Sequence, residues 1–473
     1  MNEQILIKNA QLMTMSRSGD IKKQYLDGAV LIEGDEISAV GETDEIDSSA
    51  DRVIDAEGQI ALPGLINGHN HHEQSIMKAI TRVFPGTTYE WIHEVKMPLM
   101  AEMDAEDYYL SNMLTCLELI KSGVTTSVNH ICQQDPDALE AFGIAESIRT
   151  IKDSGIRSVV PIGFSDQFER EEFLRSPEQF EEMITDAIDR WHHAASDRIR
   201  VWPGPPGVFS TSESMWEAAI RVANQSDDIG IYTHLASADW GEVDDIATYG
   251  ALRDDFVGAH CVWLTEDDVT AMAEAGVSAI HNPTYKLGYT NDNDVEAFGD
   301  GIAPMSDLKR EGGIVGIGQD GCMGDTQDLF KEMRNFAFTQ HYRYRDKNLF
   351  PPTTLLEMAT IENATALRWD DAIGSLEPGK KADIVLVDLD NIKFDPVLNV
   401  PANIVYQATA DDVATVVIDG DILMEDRSLT TIDENSIRDQ TQRATERLIE
   451  RADLEHLVDK GVDPWTNELS FAE

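Results

Sequence analysis

Eight short apolar segments, each followed by a longer amphipathic stretch, alternate along the middle of this chain. They lie near residues 62–69, 124–130, 156–162, 199–204, 229–234, 256–260, 277–281 and 314–319. This alternation is typical of parallel strands joined by crossover helices, and eight repeats fit a closed (β/α)8 barrel. We therefore predict an α/β fold with a TIM-type barrel over residues 62–372.

Residues 1–61 and 373–430 have a different sequence pattern, in which short β-like segments are separated by turn residues. We predict that these two parts of the chain pair into one small composite β-sandwich domain beside the barrel. Residues 431–473 alternate acidic and basic side chains and predict a helical tail.

The charge of the chain constrains its surroundings and its partners. Aspartate and glutamate number 87 against 37 lysines and arginines, and the formal net charge is -50. The acids are scattered along the whole chain, and the resulting repulsion is screened by concentrated salt, which predicts a salt-rich cytoplasm as in halophilic archaea. Nucleic-acid partners are disfavoured, because phosphate contacts need clustered basic side chains.

Cysteine usage and hydropathy predict a cytoplasmic protein without membrane partners. The four cysteines show no Cys-x-x-Cys spacing, and we expect free, buried thiols rather than a disulfide framework; they are Cys116, Cys132, Cys261 and Cys322. The first residues lack a basic region followed by an apolar one, and no segment approaches the roughly 18 apolar residues that a membrane span needs.

Histidines stand at the ends of several predicted strands, although the chain has only 12 of them. His69 and His71 close the first strand and share a face, because alternate side chains of a strand point the same way. Five further residues close later strands: His130, His234, His260, His281 and Asp320. Since barrel active sites lie at the carboxyl ends of the strands, we expect these side chains to converge.

Imidazoles together with one carboxylate suit Zn²⁺ or Fe²⁺ and leave one position for a water molecule. We predict one divalent ion, Zn²⁺ with Fe²⁺ as the alternative, bound by four residues: His69, His71, His234 and Asp320. The competing interpretation is that these are buried polar residues that only satisfy hydrogen bonds. Taken singly, that interpretation suits His130 and His281 better.

Six segments resemble the amidohydrolase superfamily. They are Pro63-Gly64-Leu65-Ile66-Asn67-Gly68-His69-Asn70-His71, Thr233-His234-Leu235-Ala236, Ala259-His260-Cys261, His281-Asn282-Pro283, Gly318-Gln319-Asp320-Gly321 and the stretch 373–383. The chain most resembles the branch of chlorohydrolases and nucleobase-type deaminases, which includes S-adenosylhomocysteine, guanine and triazine hydrolases. The resemblance implies a distorted barrel with a composite β-sandwich, a water oriented by His260, Asp320 as both ligand and proton acceptor, and a homodimer.

The chain departs from that branch at three places. Ser237 stands where the branch usually has a glutamate that carries a proton to the leaving nitrogen. Residues 204–207 read Gly-Pro-Pro-Gly where relatives that bind purine nucleosides often have Pro-His, and Thr284-Tyr285 replaces the usual Ser-Asn. Either Asp320 makes both proton transfers, or Glu73 or Glu242 replaces the missing carboxylate.

We predict a metal-dependent hydrolase of C–N bonds other than peptide bonds, most simply one that deaminates a nitrogen heterocycle. The predicted contacts to this small-molecule substrate are His130, His281, Ser237 and Trp91. Phe84, Tyr89, Trp91 and His93 could stack on a planar ring or merely pack against the protein, and Lys286 could anchor a carboxylate or be solvated.

Two alternatives remain open, namely hydrolysis of a cyclic or linear amide and a metal-binding barrel without catalysis, which Ser237 suggests. The cytidine-type zinc deaminases are excluded, because their His-x-Glu and Pro-Cys-x-x-Cys pattern is missing.

Overall fold

A computed structural model describes residues 4–46, 49–78, 88–132, 135–167, 171–237, 241–288, 301–321 and 325–458. Five parts of the sequence predictions fall outside the described positions or side chains: Phe84, the side chains of Tyr89 and Lys286, the polar segment 291–296, and Cys322.

The described residues form seventeen strands. They are β1 (Gln4–Met13), β2 (Gln24–Glu33), β3 (Glu36–Glu42), β4 (Arg52–Asp55), β5 (Gln59–Pro63), β6 (Leu65–Asn67), β7 (Val124–Val128), β8 (Arg157–Ile162), β9 (Ile199–Pro203), β10 (Ile231–Leu235), β11 (Phe256–His260), β12 (Ser278–His281), β13 (Ile314–Ile317), β14 (Ile384–Asp388), β15 (Val413–Ile418), β16 (Asp421–Glu425) and β17 (Ser428–Leu429).

Strands from both chain ends share one nine-stranded sheet. Its order is β17-β16-β15-β14-β5-β1-β2-β3, and β4 lies beside β1. The two ends meet where β5 pairs antiparallel with β14, with Pro63 opposite Ile384. The segments that predicted the composite β-sandwich are therefore neighbours in a single sheet.

Eight parallel strands lie between these ends, in two sheets of the orders β6-β7-β8-β9 and β10-β11-β12-β13. Single links cross between the two sheets. Gly68 N donates to Ile317 O at 3.0 Å, and Gly207 forms an isolated bridge with His234. Among the described residues these links do not make one continuous ladder, so the closed barrel stays a prediction while the eight parallel strands are observed.

The predicted first barrel strand, 62–69, is divided between the two parts of the fold. Leu62 and Pro63 belong to β5 of the outer sheet, and the inner strand begins at Leu65. Gly64 joins them, and a Cβ there would lie 1.9 Å from Thr125 Oγ1, so only glycine fits this passage. The sequence does not reveal this change of sheet, because both strands are buried and the apolar pattern therefore continues from one to the other.

Helices follow most of the inner strands. Those of six residues or more span Ala105–Lys121, Ile144–Ser154, Pro177–Trp191, Glu213–Ala223, Glu242–Thr248, Glu266–Ala275, Pro283–Gly288, Met305–Arg310, Leu329–Tyr344, Pro352–Met358, Ile361–Ala366, Val400–Gln407 and Glu434–Arg451. Shorter ones are Thr88–Trp91, Met97–Ala101, Pro136–Ala138, Ala194–Asp197 and Glu455–Val458, and the π-helical turns are Ile92–Lys96 and Leu139–Gly143.

The last long helix, Glu434–Arg451, shares a buried apolar cluster with Ala105–Lys121 through Leu448 and Leu117. An ion pair at 2.6 Å between Lys121 and Glu434 joins their ends. None of the helices within the described ranges combines the length and the apolar character that crossing a bilayer requires.

Candidate metal centre

Strand ends bring the predicted ligands together. His69 and His71 follow β6, His234 is in β10, and Asp320 follows β13. The backbone joins two of these ends directly, because Asp320 N donates to His69 O at 2.9 Å. All four side chains are buried or nearly so, with Asp320 only 7% exposed. The folding of the parallel strands therefore delivers three imidazoles and one carboxylate to a common point.

The backbone is strained at three of the strand ends that form the centre. Ala236, His260 and Asp320 have φ values of 47°, 75° and 72°, in the left-handed region that side chains with a Cβ seldom adopt. Such conformations persist where the surrounding structure holds them, and they are frequent at functional sites. Here they turn the chain sharply at the ends of β10, β11 and β13.

The distances between donor atoms fit one metal ion. His71 Nε2 lies 3.2 Å from His234 Nε2, and Asp320 Oδ1 lies 3.5 Å from Nε2 of both His69 and His71. Ligand bonds of about 2.0–2.2 Å in a tetrahedral site place neighbouring donors roughly 3–3.6 Å apart. The residues present therefore suit a divalent ion of the size and preference of Zn²⁺.

The proton positions of two histidines favour a cation between them. Nδ1 of His71 donates to the carbonyl of His130 at 2.7 Å, and Nδ1 of His234 donates to the carbonyl of Pro206 at 2.5 Å. A carbonyl only accepts, so both neutral rings carry their proton on Nδ1 and turn bare Nε2 lone pairs toward each other. A shared cation removes this repulsion.

His69 is held in the same tautomer by a different partner. Tyr232 donates its hydroxyl proton to Gly68 O at 2.7 Å, so its oxygen accepts from His69 Nδ1 at 3.0 Å. His69 Nε2 is buried and has no hydrogen-bond partner among the described residues. A fixed tautomer with a bare Nε2 is the arrangement that orients metal-binding histidines in proteins.

Burial keeps the rings of His71 and His234 neutral. Burial and the neighbouring His69 lower the pKa of His234 to about 3, and the same two effects lower that of His71 well below its usual value. Burial alone would raise the pKa of Asp320, but His69, His260 and His71 hold it well below the usual range. His71, His234 and Asp320 thus have the protonation states that metal ligands need.

His260 differs from the three proposed ligands. Asn282 Nδ2 donates to His260 Nδ1 at 3.2 Å, so the proton of the neutral ring is on Nε2, which lies 3.9 Å from Asp320 Oδ2. His260 therefore offers a hydrogen-bond donor where the ligands offer lone pairs. The role that the resemblance implies for His260, that of orienting or polarising the attacking water, stays a prediction.

Two more predicted histidines reach the same region. The ring of His130 lies 4.8 Å from that of His234, its Nε2 donates to Gly204 O at 3.0 Å, and its buried Nδ1 has no hydrogen-bond partner among the described residues. His281 is buried and donates from Nδ1 to His260 O at 3.0 Å. Their predicted contacts with substrate stay predictions.

The structure describes two other predicted contacts. Trp91 is buried in the apolar cluster that contains Ile76 and Val95, and its contact with substrate stays a prediction. Ser237 is half-buried, two residues beyond the end of β10, and the described chain resumes at Gly241.

The two candidate carboxylates differ in their surroundings. Glu242 is buried and accepts a hydrogen bond from Ala236 N at 2.5 Å, and burial raises its pKa to about 7. Glu73 is buried, and its charge adds to the effect of burial in raising the pKa of Cys132. Glu242 thus stabilises the turn after β10, whereas Glu73 lies in the electrostatic surroundings of Cys132.

Sequence reasoning missed three residues of the centre. Tyr232 fixes the tautomer of His69, and the ammonium of the buried Lys96 lowers the pKa of both His71 and His234. Cys132 Sγ lies within 4.8 Å of ring nitrogens of His71 and His234. Only Cys132 had a usable signal, since it stands two residues after His130, the same spacing that identified the first pair.

The chain is similar in sequence to amidohydrolases, among them proteins named as deaminases. A sequence profile described as the Amidohydrolase family matches residues 60–423. A 5'-deoxyadenosine deaminase of Methanosarcina mazei is 31% identical over 467 residues, which cover 94% of this chain and 99% of the relative. A 5-methylthioadenosine/S-adenosylhomocysteine deaminase of Thermoanaerobacter pseudethanolicus is 30% identical over 462 residues, covering 94% and 100%.

Solved structures show the same architecture. An adenosine deaminase from Xanthomonas campestris with bound zinc superposes with a TM-score of 0.83 at 22% identity, over 94% of this chain and 98% of that one. An atrazine chlorohydrolase from Arthrobacter aurescens, in complex with zinc and atraton, has a TM-score of 0.81 at 25% identity, over 93% and 100%.

Proposed function

Because this chain belongs to the amidohydrolase family, we propose that it is a zinc-dependent aminohydrolase that removes the exocyclic amino group of an adenine nucleoside. The observation that carries the proposal is the convergence of three bare Nε2 atoms and one carboxylate. The substrate class follows from the relatives of nearly equal length. They are named for 5'-deoxyadenosine and for 5-methylthioadenosine and S-adenosylhomocysteine, which share an adenine ring and lack a free 5'-hydroxyl.

The proposed ligands are His69, His71, His234 and Asp320. They would hold a zinc ion, whose charge would lower the pKa of a water molecule toward 7 and so make a nucleophile available at neutral pH. Asp320 accepts the proton of the attacking water and returns it to the leaving amino nitrogen. His260 donates from Nε2 to the oxygen that adds to the ring carbon, where negative charge develops.

Ser237 favours a second candidate, the hydrolysis of a cyclic or linear amide. A serine hydroxyl is too weak a base to accept a proton from water at neutral pH as a glutamate carboxylate can, and a single aspartate is sufficient as acid and base for amide hydrolysis. The metal centre and Asp320 have the same roles in both reactions.

Ammonia release separates the two reactions. The zinc-loaded protein is incubated with 5'-deoxyadenosine, 5-methylthioadenosine, S-adenosylhomocysteine and adenosine, and in parallel with cyclic and linear amides. We expect ammonia in equal amount to the hypoxanthine nucleoside that forms, which is followed by its ultraviolet spectrum. Turnover of amides alone supports the second candidate. No turnover at one zinc per chain would reject both and leave a metal-binding protein.

Metal content tests the ligand set independently of substrate. His234→Ala should reduce zinc well below one ion per chain in elemental analysis, because a four-residue set loses one of its donors. The matched control is His341→Ala, since this histidine donates to Leu349 O at 2.8 Å away from the centre. Full zinc occupancy in His234→Ala removes that residue from the ligand set.

A further inference from the structure

Cys132 brings a thiol beside two of the proposed ligands. Its Sγ lies within 4.8 Å of a ring nitrogen of His71 and of His234, whose Nε2 atoms are 3.2 Å apart. The side chain is fully buried and forms no disulfide with the other described cysteines, Cys116 and Cys261. His71 and His234 thus take part in two donor sets, one completed by the oxygen of Asp320 and one by the sulfur of Cys132.

This region contains a further atom that could bind a metal, in addition to those of the four proposed ligands. His130 Nδ1 is buried without a hydrogen-bond partner among the described residues, and with His69 and His234 it forms another group of ring nitrogens within 4.8 Å. Unsatisfied buried acceptors are costly unless a cation or another donor reaches them. Within the described chain, the thiol of Cys132 is the soft donor of this cluster.

The sulfur is within reach of an ion held by the two histidines. Zinc bonds of about 2.3 Å to sulfur and 2.0–2.1 Å to nitrogen place Sγ roughly 3.1–3.6 Å from each nitrogen, the shorter distance applying where the thiolate is added as a fifth ligand. These distances are about 1–2 Å below the limit of 4.8 Å.

We propose that Cys132 is a sulfur ligand of the metal in the substrate-free protein and that it biases the centre toward thiophilic ions, Zn²⁺ and Cd²⁺, over Fe²⁺ and Mn²⁺. When it binds, the S–H bond breaks, the sulfur electron pair forms the bond to the metal, and the proton passes to solvent. Thiolate ligands select such ions, whereas carboxylate and water suit harder ones. The inference rests on the metal centre of the proposed function, although not on its substrate.

Cobalt substitution tests the inference by absorption spectroscopy. The protein is stripped of metal with a chelator and loaded with Co²⁺, which gives visible d–d bands in any site and a near-ultraviolet charge-transfer band when sulfur is bound. We expect both bands in the wild type and loss of the charge-transfer band alone in Cys132→Ala and Cys132→Ser. The matched control is Cys116→Ala, a buried thiol whose Sγ lies 3.8 Å from His72 Nδ1, and it should keep both bands.

Metal competition gives a second measurement. Cys132→Ala should lower the affinity for Cd²⁺ relative to Mn²⁺ by about tenfold or more, the usual scale for perturbed metal sites. An unchanged ratio contradicts the proposed bias.

The outcomes separate the two proposals. A charge-transfer band that persists in both folded Cys132 variants, or d–d bands without it in the wild type, overturns the cysteine ligand only. Absence of d–d bands in the wild type overturns the metal centre and with it the proposed function. If both variants fail to fold, as judged by circular dichroism, cadmium NMR of the wild type decides, because a shift typical of nitrogen and oxygen ligands alone rejects sulfur.

Discussion

The atom that carries the proton divides the histidines of the centre into two kinds. His71 and His234 carry their protons on Nδ1, which donates to a backbone carbonyl, and both present bare Nε2 atoms. His260 accepts at Nδ1 from Asn282 and presents an N–H instead. The same residue type therefore supplies ligands and a hydrogen-bond donor within one pocket, and the neighbouring backbone decides which.

Variants of Asp320 and Ser237 test whether the aspartate alone makes both proton transfers. Asp320→Asn should abolish turnover, because the amide cannot accept a proton, whereas Ser237→Ala should retain most of it if serine only forms hydrogen bonds. Steady-state rates on any substrate that turns over measure both effects. A collapse of the rate in Ser237→Ala would show that the serine takes part in proton transfer.

Glu73 is the alternative acceptor, and Glu242 is its matched control. If Glu73 carries the proton, Glu73→Gln should cost on the order of 10²- to 10⁴-fold in kcat, the usual contribution of general acid–base catalysis. Glu242→Gln should change kcat little, because its carboxylate is bonded to Ala236 N. The opposite result would exchange the two roles.

Glu242 should also make stability depend on pH. Burial raises its pKa from 4.5 to about 7, so the folded state favours the neutral acid. The stabilisation is fully present below pH 4.5 and is lost as the pH rises through 7, by an amount on the order of 3 kcal/mol. Glu242→Gln keeps an acceptor for Ala236 N and should flatten this part of the curve in urea unfolding measured between these pH values. An unchanged slope contradicts the prediction.

At the level of whole elements, periodicity located the inner strands because each is a short buried segment followed by a helix. The predicted 199–204 and 256–260 correspond to β9 and β11 within one residue. The passage from β5 to β6 was missed because it depends on Gly64 fitting against Thr125, a contact between distant parts of the chain. The spacing of the histidines indicated the proposed metal ligands. Tyr232 and Lys96 belong to no sequence motif, and their part in the centre depends on contacts between distant parts of the chain.

A buried ion-pair cluster connects the inner strands to the outer sheet. Arg157, at the start of β8, is fully buried and bonds to Asp383 at 3.1 and 3.2 Å and to Asp419 at 3.0 Å. Arg157→Met should lower the free energy of unfolding by about 3–5 kcal/mol, because it removes the cation that two buried carboxylates share and leaves Asp419 only the more distant Arg198, at 4.0 Å. Chemical denaturation measures the loss.

Arg149→Met is the matched control for this cluster. The Arg149 side chain is 58% exposed and pairs with Glu146 at 3.2 Å, and such surface pairs contribute about 0–1 kcal/mol. Equal losses in the two variants would mean that the buried cluster does not connect the two parts of the fold more strongly than a surface pair.

At the scale of the whole molecule, the net negative charge affects stability more than any single ion pair does. If each of the 37 basic residues paired with one acid, 50 of the 87 acidic residues would still lack a basic partner. Their mutual repulsion acts over a Debye length of about 10 Å at 0.1 M salt and about 3 Å at 1 M. Local ion pairs therefore cannot offset the repulsion, and only mobile cations can.

Stability should consequently rise with salt through the molar range. We expect the Tm to increase from dilute buffer to molar KCl, because screening removes repulsion from the compact state more than from the expanded chain. Replacing KCl with an equally concentrated neutral osmolyte controls for exclusion from the protein surface, which strengthens apolar burial whether or not the solute carries charge. A Tm that is flat or falls in KCl, or that rises equally with the osmolyte, contradicts an electrostatic origin, since only ions screen the 50 excess negative charges.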